Sequence, residues 1–370
     1  MKRIMSVLLI VGLLWSLSVP SSAMSAKGAV LINGSTGSVL YAKGEHTRLP
    51  MASTTKIMTA LLLCENADLD ETLVTTEQMV TVEGSSMGLL PGDTVSYRDL
   101  LYGMMLASGN DAANTTAVAI GGSVEGFVEM MNEKAREIGL ENTHFATPSG
   151  LDADEHYSTA YDMALLARYA LENKDFAAAC GAERATLHYG NPPYNRTLKN
   201  HNRLLGAYDG MIGVKTGFTK KSGRCLVTAA RREEGFLIAV TLSDPDDWQD
   251  HKELLDYGFS LLSVKSEKPP VPETLSVVGG RENEVGLLCD DLELSLTEAE
   301  RKALSCRICL PRFLYAPVKE GERIGYAEYS LDGRVIATRD ITAQRNVKMA
   351  ESGDFDAIMR NFLMLIKAMV

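Results

Sequence analysis

The chain has 370 residues, 45% of them hydrophobic, and a formal net charge of −11. This is enough apolar material for one large domain and a smaller one, and an acidic chain is a poor match for nucleic acid. Six scattered cysteines are too few for a disulfide scaffold, although a bridge among Cys289, Cys306 and Cys309 is compatible with an oxidising compartment.

Met1-Lys2-Arg3 precedes an apolar run from Ile4 to Val19, then Pro20 and the small residues Ser21-Ser22-Ala23. This pattern predicts a secretory signal peptide over 1–23, cut after Ala23. The run is short for a membrane span, so the mature chain is expected outside the cytoplasm.

Ala29–Ile32 and Ser38–Tyr41 flank a Gly-containing turn and predict a hairpin. Lys56–Cys64 predicts a helix with Ser53 at its start. Tyr97–Ala107 and Ala112–Ile120 predict two helices separated by Ser108-Gly109-Asn110-Asp111. Phe127–Ile138 and Tyr161–Leu171 predict two more. Met211–Thr216 predicts a short strand, and Cys225–Ala230 with Phe236–Leu242 a second hairpin. Strands at both ends of a helical middle predict an α+β fold, with first and last strands in one mostly antiparallel sheet.

Lys268-Pro269-Pro270-Val271-Pro272 marks a boundary, because such a run suits neither a helix nor a central strand. The expected division is a catalytic domain over 24–266 and a β-rich domain over 267–350. Asp332-Gly333 predicts the turn of a hairpin in the latter. Asp354–Val370 carries an apolar face at helical spacing, so 351–370 is expected to be an amphipathic helix lying on a membrane surface.

Three short motifs carry the chemistry. Ser53-Thr54-Thr55-Lys56 puts a hydroxyl three residues from a lysine, on one face of a helical turn. A serine needs a base to become a nucleophile. Lys56 serves if its pKa is lowered by burial or by a second cation, for which Lys215 is the candidate. Ser108-Gly109-Asn110 offers Ser108 as a proton relay and Asn110 as an amide to hold a substrate backbone. Lys215-Thr216-Gly217 lies in a strand whose edge suits an extended peptide. There Lys215 and Thr216 are candidates to hold a free carboxylate, and Gly217 allows close approach. Each motif alone reads as a cap, a helix stop or a solvated strand. Their joint occurrence, in this order, points to acyl transfer through a serine ester.

Gly84-Ser85-Ser86-Met87-Gly88 matches a nucleophile elbow, but Leu89-Leu90-Pro91-Gly92 follows where a helix is required. It is read as a loop near the site. The six histidines lack paired metal-ligand spacing, so neither a metal nor another cofactor is expected.

With these residues in view, the chain resembles the low-molecular-mass penicillin-binding proteins, the serine D-alanyl-D-alanine carboxypeptidases. Met51-Ala52, Leu106-Ala107, Asn110-Asp111-Ala112-Ala113 and Thr147-Pro148-Ser149-Gly150-Leu151 add to the likeness. So do the proline-marked β domain and the amphipathic terminus. The resemblance implies a transpeptidase-like fold and peptidoglycan stem peptides as substrates, with β-lactams as inhibitors. It also implies an oxyanion hole from the N–H groups of Ser53 and Phe218. Two departures stand out. Some family members carry an arginine after the Lys-Thr-Gly hairpin, where this chain has the acidic stretch Ser243–Trp248. Some have histidine where this chain has Phe218. A serine β-lactamase shares the acylation chemistry but needs a Glu-x-x-x-Asn deacylation device, absent between Asn110 and Lys215.

Overall fold

The computed structural model describes residues 24–351 and Met359. The expected signal peptide lies outside these residues, as does the expected terminal helix apart from Glu351 and Met359. Two compact units divide at Ser260/Leu261.

In the first unit, a five-stranded antiparallel sheet runs in the order β2-β1-β9-β8-β7. Its strands are β1 (Gly28–Asn33), β2 (Val39–Lys43), β7 (Met211–Thr219), β8 (Gly223–Arg232) and β9 (Gly235–Leu242). The smaller sheet contains β3 (Thr72–Val74), β4 (Thr94–Ser96), β5 (Arg184–Gly190) and β6 (Pro193–Lys199). β1 pairs with β9, with Val30 opposite Val240, so the first and last strands meet as the sequence predicts. Every residue of β1 is buried. Val30 and Ile32 enter the main core, while Leu31 faces the last helix of the unit, close to Gly258. A strand covered on both faces has no polar side to present, so it reads as a continuous apolar run.

The helices of this unit are α1 (Lys56–Asn66), α2 (Glu77–Val80), α3 (Tyr97–Leu106), α4 (Asn110–Gly121), α5 (Val124–Ile138), α6 (Ala160–Ala170), α7 (Lys174–Gly181) and α8 (Asp247–Leu261). α1 is the centre of the core. Lys56 through Leu63 are all buried, as expected of a helix surrounded by other helices. α3, α4 and α6 pack around it, and α6 also covers β1 and β9. The placement of α1 matters because Lys56, its first residue, is carried into the core with it.

The second unit is β-rich. Six strands run in the order β14-β16-β17-β12-β11-β15, and a two-stranded ladder pairs β10 with β13. They are β10 (Ser263–Glu267), β11 (Thr274–Val278), β12 (Glu284–Leu288), β13 (Leu292–Leu296), β14 (Ser305–Cys309), β15 (Leu314–Tyr315), β16 (Arg323–Leu331) and β17 (Arg334–Ala343), joined by the short helix α9 (Glu298–Ala303) between β13 and β14. Asp332 and Gly333 both have positive φ, +47° and +77°. This is the turn that Asp-Gly favours between two strands. All six cysteines are free thiols.

Candidate active site

The α-helix begins at Lys56, and Ser53 lies in the single 3₁₀ turn before it, Ala52–Thr55. The sequence places Ser53 at the helix start. The tighter turn has a chemical consequence, because in 3₁₀ geometry residues i and i+3 eclipse. Lys56 Nζ accordingly lies 3.0 Å from Ser53 Oγ. The turn opens on Ala52 at φ +47°, a left-handed conformation that costs a residue with a Cβ about 1 kcal/mol. Neighbours hold it there. Thr55 Oγ1 donates to Ala52 O at 2.7 Å. His156 Nδ1 accepts from the Ala146 N–H at 2.9 Å, so its proton is on Nε2, 2.8 Å from Thr55 Oγ1. Burial lowers the His156 pKa to about 4, and the ring is neutral at pH 7. A Cβ at Gly150 would fall 1.9 Å from Ala52 O, so only glycine fits against the turn.

Lys56 is fully buried. Besides Ser53, its Nζ donates to Asn110 Oδ1 and to the backbone oxygen of Ser149, each at 2.7 Å. Its pKa is lowered well below the usual value, first by burial and then by the Lys215 ammonium, against a smaller opposing pull from Asp111. A neutral amine has two N–H donors and one lone pair. With the donors engaged by Asn110 and Ser149, the lone pair is directed at the Ser53 hydroxyl. Lys215, on β7, is 1% exposed, donates to Thr216 O at 2.9 Å, and is lowered by burial to about 7.

Asn110 is the first residue of α4. Its side-chain amide donates to Glu83 O at 2.7 Å, which orients Oδ1 towards Lys56. Asp111 does not cap the helix. It binds the preceding loop, accepting from Ser86 Oγ at 2.6 Å and from the N–H groups of Met87, Gly88 and Leu89 at 2.9–3.0 Å. The Gly84–Gly88 segment is therefore a loop beside the site, with Ser86 engaged in holding it. Ser108 links α3 to α4 at φ +57°.

A cleft of about 290 Å³ opens over the turn, lined by Ser53, Ser108, Thr216, Gly217 and Phe218 among others. A Cβ at Gly217 would stand 3.0 Å from the backbone N of Ser53, so β7 passes hard against the Ser53 turn. Phe218 forms an exposed rim. A buried lysine facing a serine hydroxyl beneath a peptide-sized cleft is an arrangement able to make and break an acyl-serine ester. Among the described residues, no group of three His, Cys, Asp or Glu side chains is placed to hold a metal ion.

Comparison with known proteins agrees with this chemistry. The family model described as D-alanyl-D-alanine carboxypeptidase matches residues 16–246, and that described as penicillin-binding protein 5, C-terminal domain, matches 259–349. D-alanyl-D-alanine carboxypeptidase DacF of Bacillus subtilis is 34% identical over 95% of this chain and 96% of its own.

The chain belongs to the D-alanyl-D-alanine carboxypeptidase family.

Penicillin-binding protein 5 from Haemophilus influenzae superimposes with a TM-score of 0.66 at 28% identity, covering 90% of this chain and all of that one. The Streptomyces K15 DD-transpeptidase gives 0.63 at 35% identity over 66% of this chain and all of its own. Within the carboxypeptidase fold, the sequence motifs do not reveal two features of this site. One is the Ser149 carbonyl, since a backbone acceptor leaves no residue-type signal. The other is the far wall of the cleft, where Arg203, Arg224, Asp247 and Trp248 gather.

Proposed function

We propose the following division of roles in the D-alanyl-D-alanine carboxypeptidase reaction. Ser53 Oγ attacks the carbonyl between the two terminal D-alanines of a peptidoglycan stem peptide while Lys56, as the neutral amine, takes its proton. The N–H groups of Ser53 and Phe218 receive the developing oxyanion. Ser108 passes a proton to the departing D-alanine, and water then hydrolyses the ester on Ser53. Asn110 holds the peptide backbone, with Gly217 leaving room for it, while Lys215 and Thr216 hold its free carboxylate and Lys215 also keeps Lys56 neutral. A β-lactam imitates the dipeptide and acylates the same oxygen. The observation that carries this reading is the setting of Lys56 Nζ, whose two acceptors Asn110 Oδ1 and Ser149 O leave its lone pair for the Ser53 hydroxyl at 3.0 Å.

The test is mass spectrometry of the protein incubated with penicillin and with a peptide ending in D-Ala-D-Ala. One covalent adduct on Ser53 is expected, and Ser53→Ala should abolish both the adduct and D-alanine release. An adduct that persists in Ser53→Ala refutes the assignment.

The same reading places the enzyme outside the cytoplasm, at the peptidoglycan it cuts, with 351–370 as its contact with the membrane surface. Apolar area on an in-plane helix supplies such binding. Among the described residues, no helix is long and apolar enough to cross a membrane. A chain ending at Ala350 should keep full activity on a small peptide and fail to sediment with liposomes that capture the longer chain. Equal sedimentation of both would refute the anchor.

A further inference from the structure

The residues just after the expected cut at Ala23 pack on two carboxylates that the reaction does not use. Asp244 lies in the turn between β9 and α8, and Asp250 in the first turn of α8. Ser25 joins them. Its Oγ donates to Asp244 Oδ1 at 2.6 Å, and its N–H to Asp250 Oδ2 at 3.0 Å. Asp244 is 0% exposed and Asp250 6% exposed. Asp244 Oδ2 is buried and has no hydrogen-bond partner among the described residues. Burial first, and the Asp244 carboxylate after it, push Asp250 up to about 6. Tyr41 and Lys43 face the pair from β2. Burial first and Asp250 second push the Tyr41 hydroxyl up. The Lys43 ammonium donates to the Met24 carbonyl at 2.5 Å. Two neighbouring buried carboxylates without a cation are costly.

We propose that the α-ammonium group left on Met24 by signal-peptide removal is the counter-ion of Asp244 and Asp250. This rests on the export reading above, with the cut after Ala23. Hydrolysis of the Ala23–Met24 bond leaves a carboxylate on Ala23 and an ammonium on Met24, with three N–H donors where the precursor has one uncharged amide N–H. The geometry puts that nitrogen at the pair. Lys43 holds the carbonyl of the Met24–Ser25 peptide and Asp250 holds its N–H, so the peptide plane is fixed. Bond lengths keep the Met24 nitrogen within about 3.7 Å of the Ser25 nitrogen. Rotation about ψ of Met24 alone swings it around the carboxylates, where Asp244 Oδ2 is free to accept. Met24 itself is 8% exposed, so the new terminus is tucked in. The clamp closes on the turn that leads into the cleft wall. Asp247, in that turn, holds Arg224 at 2.8 Å, and Trp248 lines the cleft. Cleavage thus completes the support of this wall only once the chain has been exported.

The experiment compares the mature chain, beginning at Met24, with one that keeps Ser22-Ala23 ahead of it. Acetylation of the terminal amine by a limiting reagent, read from pH 6 to 10 by mass spectrometry of the N-terminal peptide, reports its pKa. The mature chain should titrate about one unit above the ordinary 7.7–8.0, and the extended chain at the ordinary value. At pH 7 a shift of that size makes the unfolding constant of the mature chain about tenfold smaller in urea titrations. A raised α-amino pKa stabilises below the unfolded value, so the gap should close as pH rises through the folded one. Asp244→Asn with Asp250→Asn should return the terminal pKa to the ordinary range and erase the gap between the two chains. If the double variant does not fold, Asp244→Asn alone decides. An ordinary terminal pKa in the mature wild type, or a gap that persists in the variants, would overturn the ion pair. A protein exported from the whole gene that begins at a residue other than Met24 would overturn it as well. Neither result touches the carboxypeptidase reading, which penicillin labelling of Ser53 tests separately.

Discussion

Lys56 Nζ meets Ser53 Oγ at 3.0 Å from inside the core, with the lysine fully buried. A base in that position works only while neutral, so the penicillin acylation rate should fall as pH drops through its lowered pKa. The Lys215 cation is one cause of that lowering. Replacing it in Lys215→Met should raise the Lys56 pKa and move the acid limb of the pH–rate profile upward. Stopped-flow acylation from pH 5 to 9 measures this. An unmoved limb would show that Lys215 does not tune Lys56.

Asp111 anchors the Ser86–Leu89 loop through four hydrogen bonds. Asp111→Ala leaves several buried N–H donors unpaired and should destabilise the protein by about 2–4 kcal/mol in urea titrations. Ser86→Ala removes two bonds, to Asp111 and from the exposed Gly88 N–H, and should cost about 1–2 kcal/mol, with penicillin labelling still one per chain. Loss of labelling in Ser86→Ala would place the nucleophile in the wrong motif.

Two buried histidines make the fold sensitive to acid. His156 is lowered to about 4 and His251 to about 3, each by burial first. The His251 ring bridges the hydroxyls of Thr228 and Thr241. In the unfolded chain both titrate near 6.5, so between the folded and unfolded pKa the unfolded state binds more protons. Their contribution is intact above about pH 6.5 and is lost as pH falls towards 4 for His156 and 3 for His251. For His156 this amounts to about 3 kcal/mol. His156→Gln should flatten the decline of unfolding free energy between pH 7 and 4. An unchanged slope would contradict its buried neutral state. Asp250, raised to about 6 chiefly by burial, acts in the opposite direction but cancels in the comparison.

Gly217→Ala should slow acylation by about 10-fold or more, because a small misplacement of the nucleophile is costly. The added methyl meets Ser53 N at 3.0 Å and Thr54 N at 3.1 Å. Melting temperature should change little, since β7 retains its ladder with β8. A fully active Gly217→Ala enzyme would show that the turn has room to move.

The sequence made local chemistry visible and left distant chemistry hidden. Ser53 and Lys56 stand three residues apart, so their pairing follows from any helical turn. Lys56 and Asn110 are 54 positions apart, and only the packing of α4 on α1 brings them together. The strands β1, β8 and β9 were legible because burial on both faces makes them continuously apolar. β5 and β6 were not, since they are mostly exposed on alternate residues and begin or turn at Asn191-Pro192-Pro193. α8 was also missed. Its buried stripe is short, built on Leu254, Leu255 and Phe259, and its first turn looks like an acidic loop. That same acidic turn supplies Asp247, so the link to Arg224 was hidden with it.

The pairing of Val30 with Val240 sets the order in which this enzyme becomes whole. The strand made first waits for one made about 210 residues later, and closures of that span are slow. Until Leu242 has been synthesised, the hairpin β1–β2 has one apolar edge with nothing to pair it. A polypeptide broken off earlier keeps that edge open, as a template for aggregation or a handle for chaperones. A chain so slow to close also stays threadable for most of its synthesis.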